Sequence, residues 1–392
     1  MAKPDFTPTT TPIYATSSFS YEDTGALDAV FGNEREGYVY SRYGNPTTRA
    51  LEVAVAELEG TEDAIAFASG MAAVHAAILS QVQAGSRVVA ARDVYGATYA
   101  ILTNVFATLG VKPVFVDILD LAVVEAALKE SNSRVLTFET ISNPLLRVAD
   151  IAALSELAHA WGATVVVDNS FASPYLVSPA QFGADLVVHS TTKYLGGHGD
   201  TTGGVIAASA PLVHELREQN KLIGSILSPF EAWLTLRGIK TLPLRMRQQS
   251  ENAAEVAAWL ASRADIDRVY YPGTTEQGRV SLQFNNSHRG GMISFEIAGA
   301  GRDDVFRFLQ SLRLCVPATT LGDVYSLVLY PAISSHRALT PEQRAEIGIG
   351  ENLVRLSVGI EDVADIIADL DSALDAIRAA VGVAAASRFE EE

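Results

Sequence analysis

The chain has 392 residues, of which 48% are hydrophobic and 19% charged, so it is long enough for two domains and a large core. The 29 basic and 46 acidic residues give a net charge of -17, which argues against a surface for nucleic acid or anionic membranes. No apolar run has the length of a membrane span and the first residues lack a signal peptide's apolar region, so we expect a cytoplasmic protein. The single cysteine, Cys315, excludes a disulfide within the chain, and the scattered histidines predict no metal site.

Residues 1–45 are predicted to form an N-terminal arm that contacts a neighbouring subunit. They carry no long periodic pattern and are rich in Thr, Ser, Pro and Tyr, with the run YVYSRYGNPT at 38–47. A segment with so little core of its own must gain its order from another surface. Its candidate functional residues are Tyr40, Arg42 and Tyr43, for which two packing aromatics and a surface arginine are the alternative interpretation.

Residues 46–245 are predicted to form an α/β domain in which strands and helices alternate. The predicted strands are 64–67, 87–90, 113–116, 135–138, 164–168, 185–189 and 203–208. The predicted helices are 47–58, with Thr47 as its cap, 69–82, 97–109, 123–129 and 150–161. This alternation is typical of a mostly parallel sheet that is covered by helices on both faces.

Residues 246–392 are predicted to form a smaller α+β domain. The composition becomes helical after Ala210 with a break expected near Pro243, and we place the domain boundary near residue 245. Beyond the boundary, the pattern predicts strands at 291–297 and 354–358 and helices at 303–312 and 362–379.

The turn Ser69-Gly70-Met71, where a strand passes into a helix, is a candidate phosphate site. Free N–H groups and the positive end of the helix dipole point outward at such a turn. Many Ser-Gly turns bind nothing, so this signal is weak by itself. The chain has no GxGxxG or GxxxxGK[ST] motif, so neither a dinucleotide nor a nucleoside triphosphate is favoured as the ligand.

Lys193 carries the strongest chemical signal, in the stretch ADLVVHSTTKYLGGHGDTTGG at 184–204. It follows an apolar strand and is flanked by hydroxyl groups and glycines, as expected of a nucleophile in a cleft; an ordinary loop lysine is the alternative. Asp168 ends the strand-like TVVVD, and Tyr95 and Asn143 follow two other predicted strands, so these side chains should meet at one sheet edge. Pyridoxal 5′-phosphate (PLP) needs an amine to bind its aldehyde and a carboxylate to keep its pyridine nitrogen protonated.

Eight motifs spread over nearly the whole chain resemble the cysteine and methionine metabolism family of PLP-dependent enzymes. They are YSRYGNPT, ASGMAA, DVYGATY, ETISNPLLRVADI, VVVDNSFASPYL, HSTTKYLGGHGD, LRGIKTLPLRM and VRLSVGIED. The family includes cystathionine γ-synthase, cystathionine γ-lyase, methionine γ-lyase and O-acetylhomoserine sulfhydrylase. The resemblance implies the aspartate-aminotransferase-like fold (fold type I) and an obligate dimer that shares its active sites, usually doubled to a homotetramer.

The resemblance also assigns roles in cofactor binding. Lys193 would bind the aldehyde of PLP and later shuttle protons, and Asp168 would pair with the pyridine nitrogen. Tyr95 would stack on the ring and act as acid or base at the leaving group. The residues implied to bind the phosphate are Ser69, Gly70, Met71, Ser190 and Thr192, together with Tyr40 and Arg42 of the partner subunit.

Substrate binding falls, by the same resemblance, to Arg355, Asn143 and Ser326. Arg355 would hold the α-carboxylate of an amino acid as a bidentate partner. A cross-strand salt bridge is the alternative for this arginine, since it lies in the strand-like VRLSV. Asn143 and Ser326 would make supporting contacts to cofactor and substrate.

The reaction is predicted from the residues at the distal end of the substrate site. Family members that handle cystathionine tend to carry charged residues where this chain has Val39, Ala100 and Tyr325. A charged tail would be buried there without a partner, so we predict γ-elimination on an uncharged-tail sulfur amino acid, giving a thiol, 2-oxobutanoate and ammonia. Ala97 weakens this prediction, because methionine γ-lyases often carry a cysteine there. The alternatives are γ-replacement on O-acyl-homoserine, β-elimination and a PLP-binding protein without catalysis.

Overall fold

The computed structural model describes residues 7–130, 132–272, 279–337 and 340–389 of the chain. Within these ranges, the strands of the larger sheet are β1 (Asp63–Phe67), β2 (Arg87–Ala91), β3 (Lys112–Val116), β4 (Ser133–Glu139), β5 (Thr164–Asp168), β6 (Leu186–Ser190) and β7 (Gly204–Ala208). Their order is β1-β7-β6-β5-β4-β2-β3. Strand β7 runs antiparallel to both of its neighbours and the other pairs are parallel, so the predicted mostly parallel sheet is confirmed.

Helices cover both faces of this sheet because its central strands are apolar on both sides. In β5, Val165 and Val167 face one hydrophobic core while Val166 faces another, as the alternation of side chains along a strand requires. The helices in this part of the chain are α1 (Thr24–Phe31), α2 (Pro46–Glu59), α3 (Gly70–Leu79), α4 (Gly96–Asn104), α5 (Leu121–Lys129), α6 (Ile151–Ala160), α7 (Ser173–Leu176), α8 (Ala210–Ile223), α9 (Pro229–Ile239) and α10 (Leu242–Ala261).

The N-cap of α2 corrects one prediction, because the cap is Asn45 and not Thr47. The Asn45 side chain accepts a hydrogen bond from the N–H of Thr47, and Pro46 occupies the first helical position. The Thr47 hydroxyl instead donates to the carbonyl of Pro12 and accepts from the N–H of Tyr14. Thr47 therefore attaches the arm to this chain's own domain.

Two predicted helices are longer than the observed ones. Helix α3 ends at Leu79 and not near residue 82, and α4 ends at Asn104 and is followed by a separate 3₁₀ turn, Phe106–Leu109. The residue between the two, Val105, has φ -104° and ψ -59°, which departs from regular helical geometry. The run of weaker helix formers Thr103, Asn104, Val105 and Phe106 coincides with this interruption.

The second sheet follows α10 and is mostly antiparallel. Its strands are β8 (Ile266–Tyr270), β9 (Met292–Ile297), β10 (Val316–Pro317), β11 (Leu327–Leu329) and β12 (Leu353–Ser357), in the order β10-β11-β12-β9-β8. Only the pair β10–β11 is parallel among these described strands. The accompanying helices are α11 (Arg279–Leu282), α12 (Arg302–Ser311), α13 (Pro341–Glu346) and α14 (Val363–Phe389).

Helix α10 connects the two sheets. The predicted break near Pro243 is confirmed, since α9 ends at Ile239 and α10 begins at Leu242 with the proline in its first turn. The boundary proposed near residue 245 lies inside α10, whose first turns pack on the larger sheet's core and whose last turns pack on that of the smaller sheet. No helix in the described ranges is long and apolar enough to cross a membrane.

Candidate active site

A cavity of about 500 Å³ lies at the carboxyl edge of the larger sheet, against the second sheet. Most of the sequence-predicted site residues meet here. Those that line the cavity are Ser69, Gly70, Met71, Tyr95, Asn143, Asp168, Ser190, Thr192, Lys193 and Arg355. The parallel strands bring them together because side chains that follow successive strands arrive at the same sheet edge.

The amine of Lys193 lies in an environment that lowers its pKa. The lysine follows the end of β6, and its Nζ donates a hydrogen bond to Thr320 Oγ1 at 2.9 Å. Burial and the positive charge of Arg355 lower the pKa of the amine from 10.5 to about 8, against a smaller raising effect of Asp323. A useful fraction of the amine is therefore neutral, and able to attack an aldehyde, near neutral pH.

Two carboxylates face the cavity from neighbouring strands, Asp168 at the end of β5 and Glu139 opposite it at the end of β4. Burial raises the pKa of Asp168, while hydrogen bonds from Ser170 oppose this rise. Burial, and then the nearby Asp168, raise the pKa of Glu139 well above its ordinary range. A cationic ring nitrogen beside Asp168 would compensate for the cost of the buried negative charge.

The start of α3 forms a corner suited to a phosphate. Ser69 is the N-cap, and its hydroxyl accepts a hydrogen bond from the N–H of Ala72 at 3.1 Å. Gly70 allows the start of α3 to approach Ser190 closely, because a Cβ at position 70 would lie only 2.8 Å from the Cβ of Ser190. The hydroxyl-bearing Ser190 and Thr192 also line this part of the cavity. Amine, carboxylate and helix N-terminus thus fit the aldehyde, ring nitrogen and phosphate of PLP.

Arg355 reaches this cavity from β12 of the second sheet. It is only 3% exposed, and it donates through Nη1 to Asn143 Oδ1 at 2.8 Å and through Nη2 to the carbonyl of Thr320 at 3.3 Å. Burial lowers the pKa of its guanidinium to about 10. In the described part of the chain its bonded acceptors are neutral, so the alternative of a cross-strand salt bridge is wrong. A substrate carboxylate would supply the charge that this site lacks.

Ser326 does not line the cavity, which corrects its predicted contact with the substrate. Its N–H and hydroxyl both donate to Glu361, at 2.6 and 3.0 Å, and the hydroxyl also accepts from the N–H of Gly359. The hydroxyl that faces Lys193 belongs instead to Thr320. Tyr325 also lies outside the cavity lining and is hydrogen-bonded to Asp323.

The arm residues Val39, Tyr40 and Arg42 are absent from the lining of this chain's own active-site cavity. Tyr40 is 44% exposed, and Arg42 donates to the carbonyl of Lys221 and lies over the ring of Tyr43 at 4.8 Å. The arm instead borders a second cavity of about 750 Å³, whose acidic and basic side chains largely pair with one another.

Two residues near the chemistry were not predicted, Glu139 and Thr320. Glu139 carries the same signal that identified Asp168, an acidic residue at the end of an apolar strand, here VLTFE. Thr320 lies in an irregular loop, and only the packing of the two sheets brings it to Lys193. Among the described residues, no group of three or more His, Cys, Asp or Glu side chains could hold a metal ion.

This fold and this site define a PLP-dependent enzyme. The model of the family described as "Cys/Met metabolism PLP-dependent enzyme" matches residues 2–375, and the chain belongs to that family. It is 43% identical to an L-methionine gamma-lyase from Pseudomonas putida, over 93% of this chain and 92% of that protein. It is 41% identical to an O-succinylhomoserine sulfhydrylase from Pseudomonas aeruginosa, over 93% and 90% of the two chains.

Solved structures of related enzymes share the fold. The crystal structure of cystathionine gamma synthase from Xanthomonas oryzae pv. oryzae in complex with cystathionine superimposes with a TM-score of 0.88. The two sequences are 39% identical, and the match covers 94% of each chain. Relatives at this level of identity include lyases, a synthase and a sulfhydrylase, so the family is established and an amino-acid substrate is consistent with it, while the particular reaction is not fixed by similarity.

Proposed function

We propose that this enzyme catalyses γ-elimination on a sulfur amino acid with an uncharged tail, such as methionine or homocysteine, with cystathionine a poorer substrate. The reaction consumes one water and gives a thiol, 2-oxobutanoate and ammonia. The observation that carries the proposal is the charge distribution in the cavity. Its charged lining residues are Glu139, Asp168, Lys193 and Arg355, and the rest of the described lining is uncharged. A charged tail would find no free partner there.

The remaining lining near the substrate is apolar or hydroxyl-bearing, including Ile141, Phe171, Leu321 and Leu329. Such walls can exclude water from a thioether tail while Arg355 binds the α-carboxylate. Lys193, once its amine is free, would take the proton from Cα, since a pKa of about 8 suits a base near neutral pH. Tyr95 would donate a proton to the departing sulfur. Bound PLP supplies the electron sink for the charge that develops on the substrate carbons.

We further propose that Tyr40 and Arg42 bind the phosphate in the partner subunit's site, with Val39 beside its substrate. The exposure of Tyr40 and the position of both residues outside this chain's own cavity support that arrangement. The protein would then be an obligate dimer with shared active sites, and we propose a homotetramer in the cytoplasm. The proposed domains remain an arm at 1–45, a PLP-binding domain at 46–245 and a C-terminal domain at 246–392.

The second candidate is γ-replacement on an O-acyl-homoserine by sulfide or cysteine. Hydroxyl groups in the cavity lining favour it, because they can donate hydrogen bonds to an ester carbonyl that a thioether lacks. The two lining hydroxyls suited to this role are those of Thr202 and Thr319, since those of Ser334 and Ser335 are hydrogen-bonded to Tyr330 and His336. The similarity to a sulfhydrylase is consistent with this candidate.

Release of 2-oxobutanoate separates the two candidates. The purified holoenzyme is supplied separately with L-methionine, L-cystathionine, O-acetyl-L-homoserine and O-succinyl-L-homoserine, each with and without sulfide. Fast release from methionine, abolished in Lys193→Ala, is expected. Release from an acyl ester alone, suppressed by sulfide as homocysteine accumulates, would overturn γ-elimination in favour of replacement.

A further inference from the structure

Glu139 lies at the centre of the site although its own side chain is assigned no part in the chemistry. It is the last residue of β4, pairs with Asp168 across the sheet and is only 8% exposed. A carboxylate at this position, beside another carboxylate and with its pKa raised by burial, is costly to keep. Its contacts indicate what offsets that cost.

Both oxygens of Glu139 accept hydrogen bonds from the main chain of proposed site residues. Oε1 accepts from the N–H of Tyr95 at 2.6 Å, and Oε2 accepts from the N–H of Asn143 at 3.1 Å. Tyr95 precedes α4 and has no side-chain cap of its own, so this bond is a direct restraint on the main chain that carries its ring. One carboxylate therefore connects the ends of β2 and β4.

The connection continues to the substrate side through Asn143. The Oδ1 atom of Asn143 accepts from Nη1 of Arg355 at 2.8 Å, so the main chain fixed by Glu139 carries the amide that orients the guanidinium. Arg355 comes from the second sheet, whereas Glu139, Tyr95 and Asn143 belong to the first. A displacement of Glu139 would therefore shift both Tyr95 and Arg355.

We propose that Glu139 is a positioning residue that fixes Tyr95 against the cofactor and, through Asn143, fixes Arg355 against the substrate carboxylate. The proposal rests on the proposed roles of Tyr95 and Arg355, and it holds for elimination and replacement alike. A glutamine cannot substitute for Glu139, because its amide offers one oxygen acceptor and would turn an NH₂ group toward the second N–H.

The chain offers a matched control in Asp369. This acidic residue is also nearly buried and accepts main-chain hydrogen bonds, from the N–H groups of Arg313, Leu314 and Cys315 at 2.8 to 3.0 Å. It lies on α14, beside the core of the smaller sheet, and does not line the active-site cavity. Asp369→Asn removes a carboxylate that binds main-chain N–H groups, as Glu139→Gln does, without touching the site.

The test compares holoenzymes of Glu139→Gln, Glu139→Asp and Asp369→Asn. The readouts are the visible circular dichroism of bound PLP, binding of glycine as a non-reacting carboxylate ligand, and kcat and KM for the best substrate. Glu139→Gln is expected to change the dichroism, weaken glycine binding and lower kcat, the last two at least about tenfold, because small displacements of positioned groups cost large factors in rate. Asp369→Asn should lower the thermal midpoint and leave the three readouts unchanged.

The proposal fails if Glu139→Gln keeps the dichroism, glycine binding and kcat within about twofold of the parent, or if Asp369→Asn changes them equally. Should Glu139→Gln not fold, Glu139→Asp is judged by the same criteria, since it keeps the charge but shortens the reach by one methylene. Tyr95→Phe and Arg355→Lys are measured alongside. If they lose activity while the Glu139 variants do not, only the positioning proposal is wrong; if they too are fully active, the proposed site roles are wrong.

Discussion

The amine of Lys193 should titrate near pH 8 in the PLP-free protein, well below the 10.5 of an ordinary lysine. Burial is the largest cause, because it disfavours the charged form, and the positive charge of Arg355 adds to it. At pH 7 about 9% of this amine would be neutral, compared with about 0.03% of an ordinary one. The structure thus provides an approximately 300-fold larger neutral fraction.

Competitive labelling measures this pKa directly. The PLP-free protein is treated with limiting acetic anhydride at a series of pH values, together with a lysine-containing reference peptide, and acetylation of Lys193 is read by mass spectrometry. The rate at Lys193 should stop rising above about pH 9, while the rate for the peptide continues to rise beyond pH 10. Restricted access lowers the plateau at Lys193 but leaves the midpoint unchanged, so the midpoint is the quantity to compare.

Two variants test the causes of the shift. Arg355→Met removes a nearby positive charge and should raise the midpoint of Lys193, whereas Asp323→Asn removes a negative charge and should lower it. A midpoint for Lys193 that coincides with that of the reference peptide would refute the reasoning. Unchanged midpoints in both variants would show that charge plays no part beside burial.

Two further substitutions test the phosphate corner and a buried ion pair. Gly70→Ala should weaken PLP binding at least about tenfold in equilibrium dialysis, since its Cβ would lie 2.8 Å from that of Ser190. Gly301→Ala is the control, because a Cβ at that position would have no neighbour closer than 3.9 Å. Equal PLP affinities in the two variants would argue against phosphate binding at the start of α3. Arg147→Met leaves the 7% exposed Asp93 carboxylate without its partner and should lower the free energy of unfolding by about 3 kcal/mol, measured by urea denaturation. An unchanged urea midpoint would show that leaving the Asp93 carboxylate unpaired does not destabilise the fold.

Strand-end residues were predictable from the sequence because an apolar run that ends in a polar residue indicates a buried strand with a polar side chain at the sheet edge. Asp168 and Lys193 were both found in this way, and Arg355 came from the resemblance. The same rule applied to VLTFE would have identified Glu139. The antiparallel direction of β7 was not predictable, since an apolar strand reads the same in either direction.

Contacts between the two sheets account for most of what the sequence did not reveal. Thr320 meets Lys193 only because the second sheet packs on the first, and loop residues carry no periodic signal of such an encounter. Ser326 was assigned to the substrate from the family resemblance, but its hydroxyl donates to Glu361 and does not line the cavity. Strands β8, β10 and β11 escaped prediction because they are short, half-exposed or irregular in pattern.

Helix α10 contributes side chains to the hydrophobic cores of both parts of the molecule. Leu242 and Met246 belong to the core of the larger sheet, and Val256 and Leu260 to that of the smaller one. Cutting the chain near residue 245 would uncover apolar surface on both fragments, so neither fragment should remain monodisperse in water. Because this helix contributes apolar residues to both cores, we expect the two parts to unfold together as one cooperative unit.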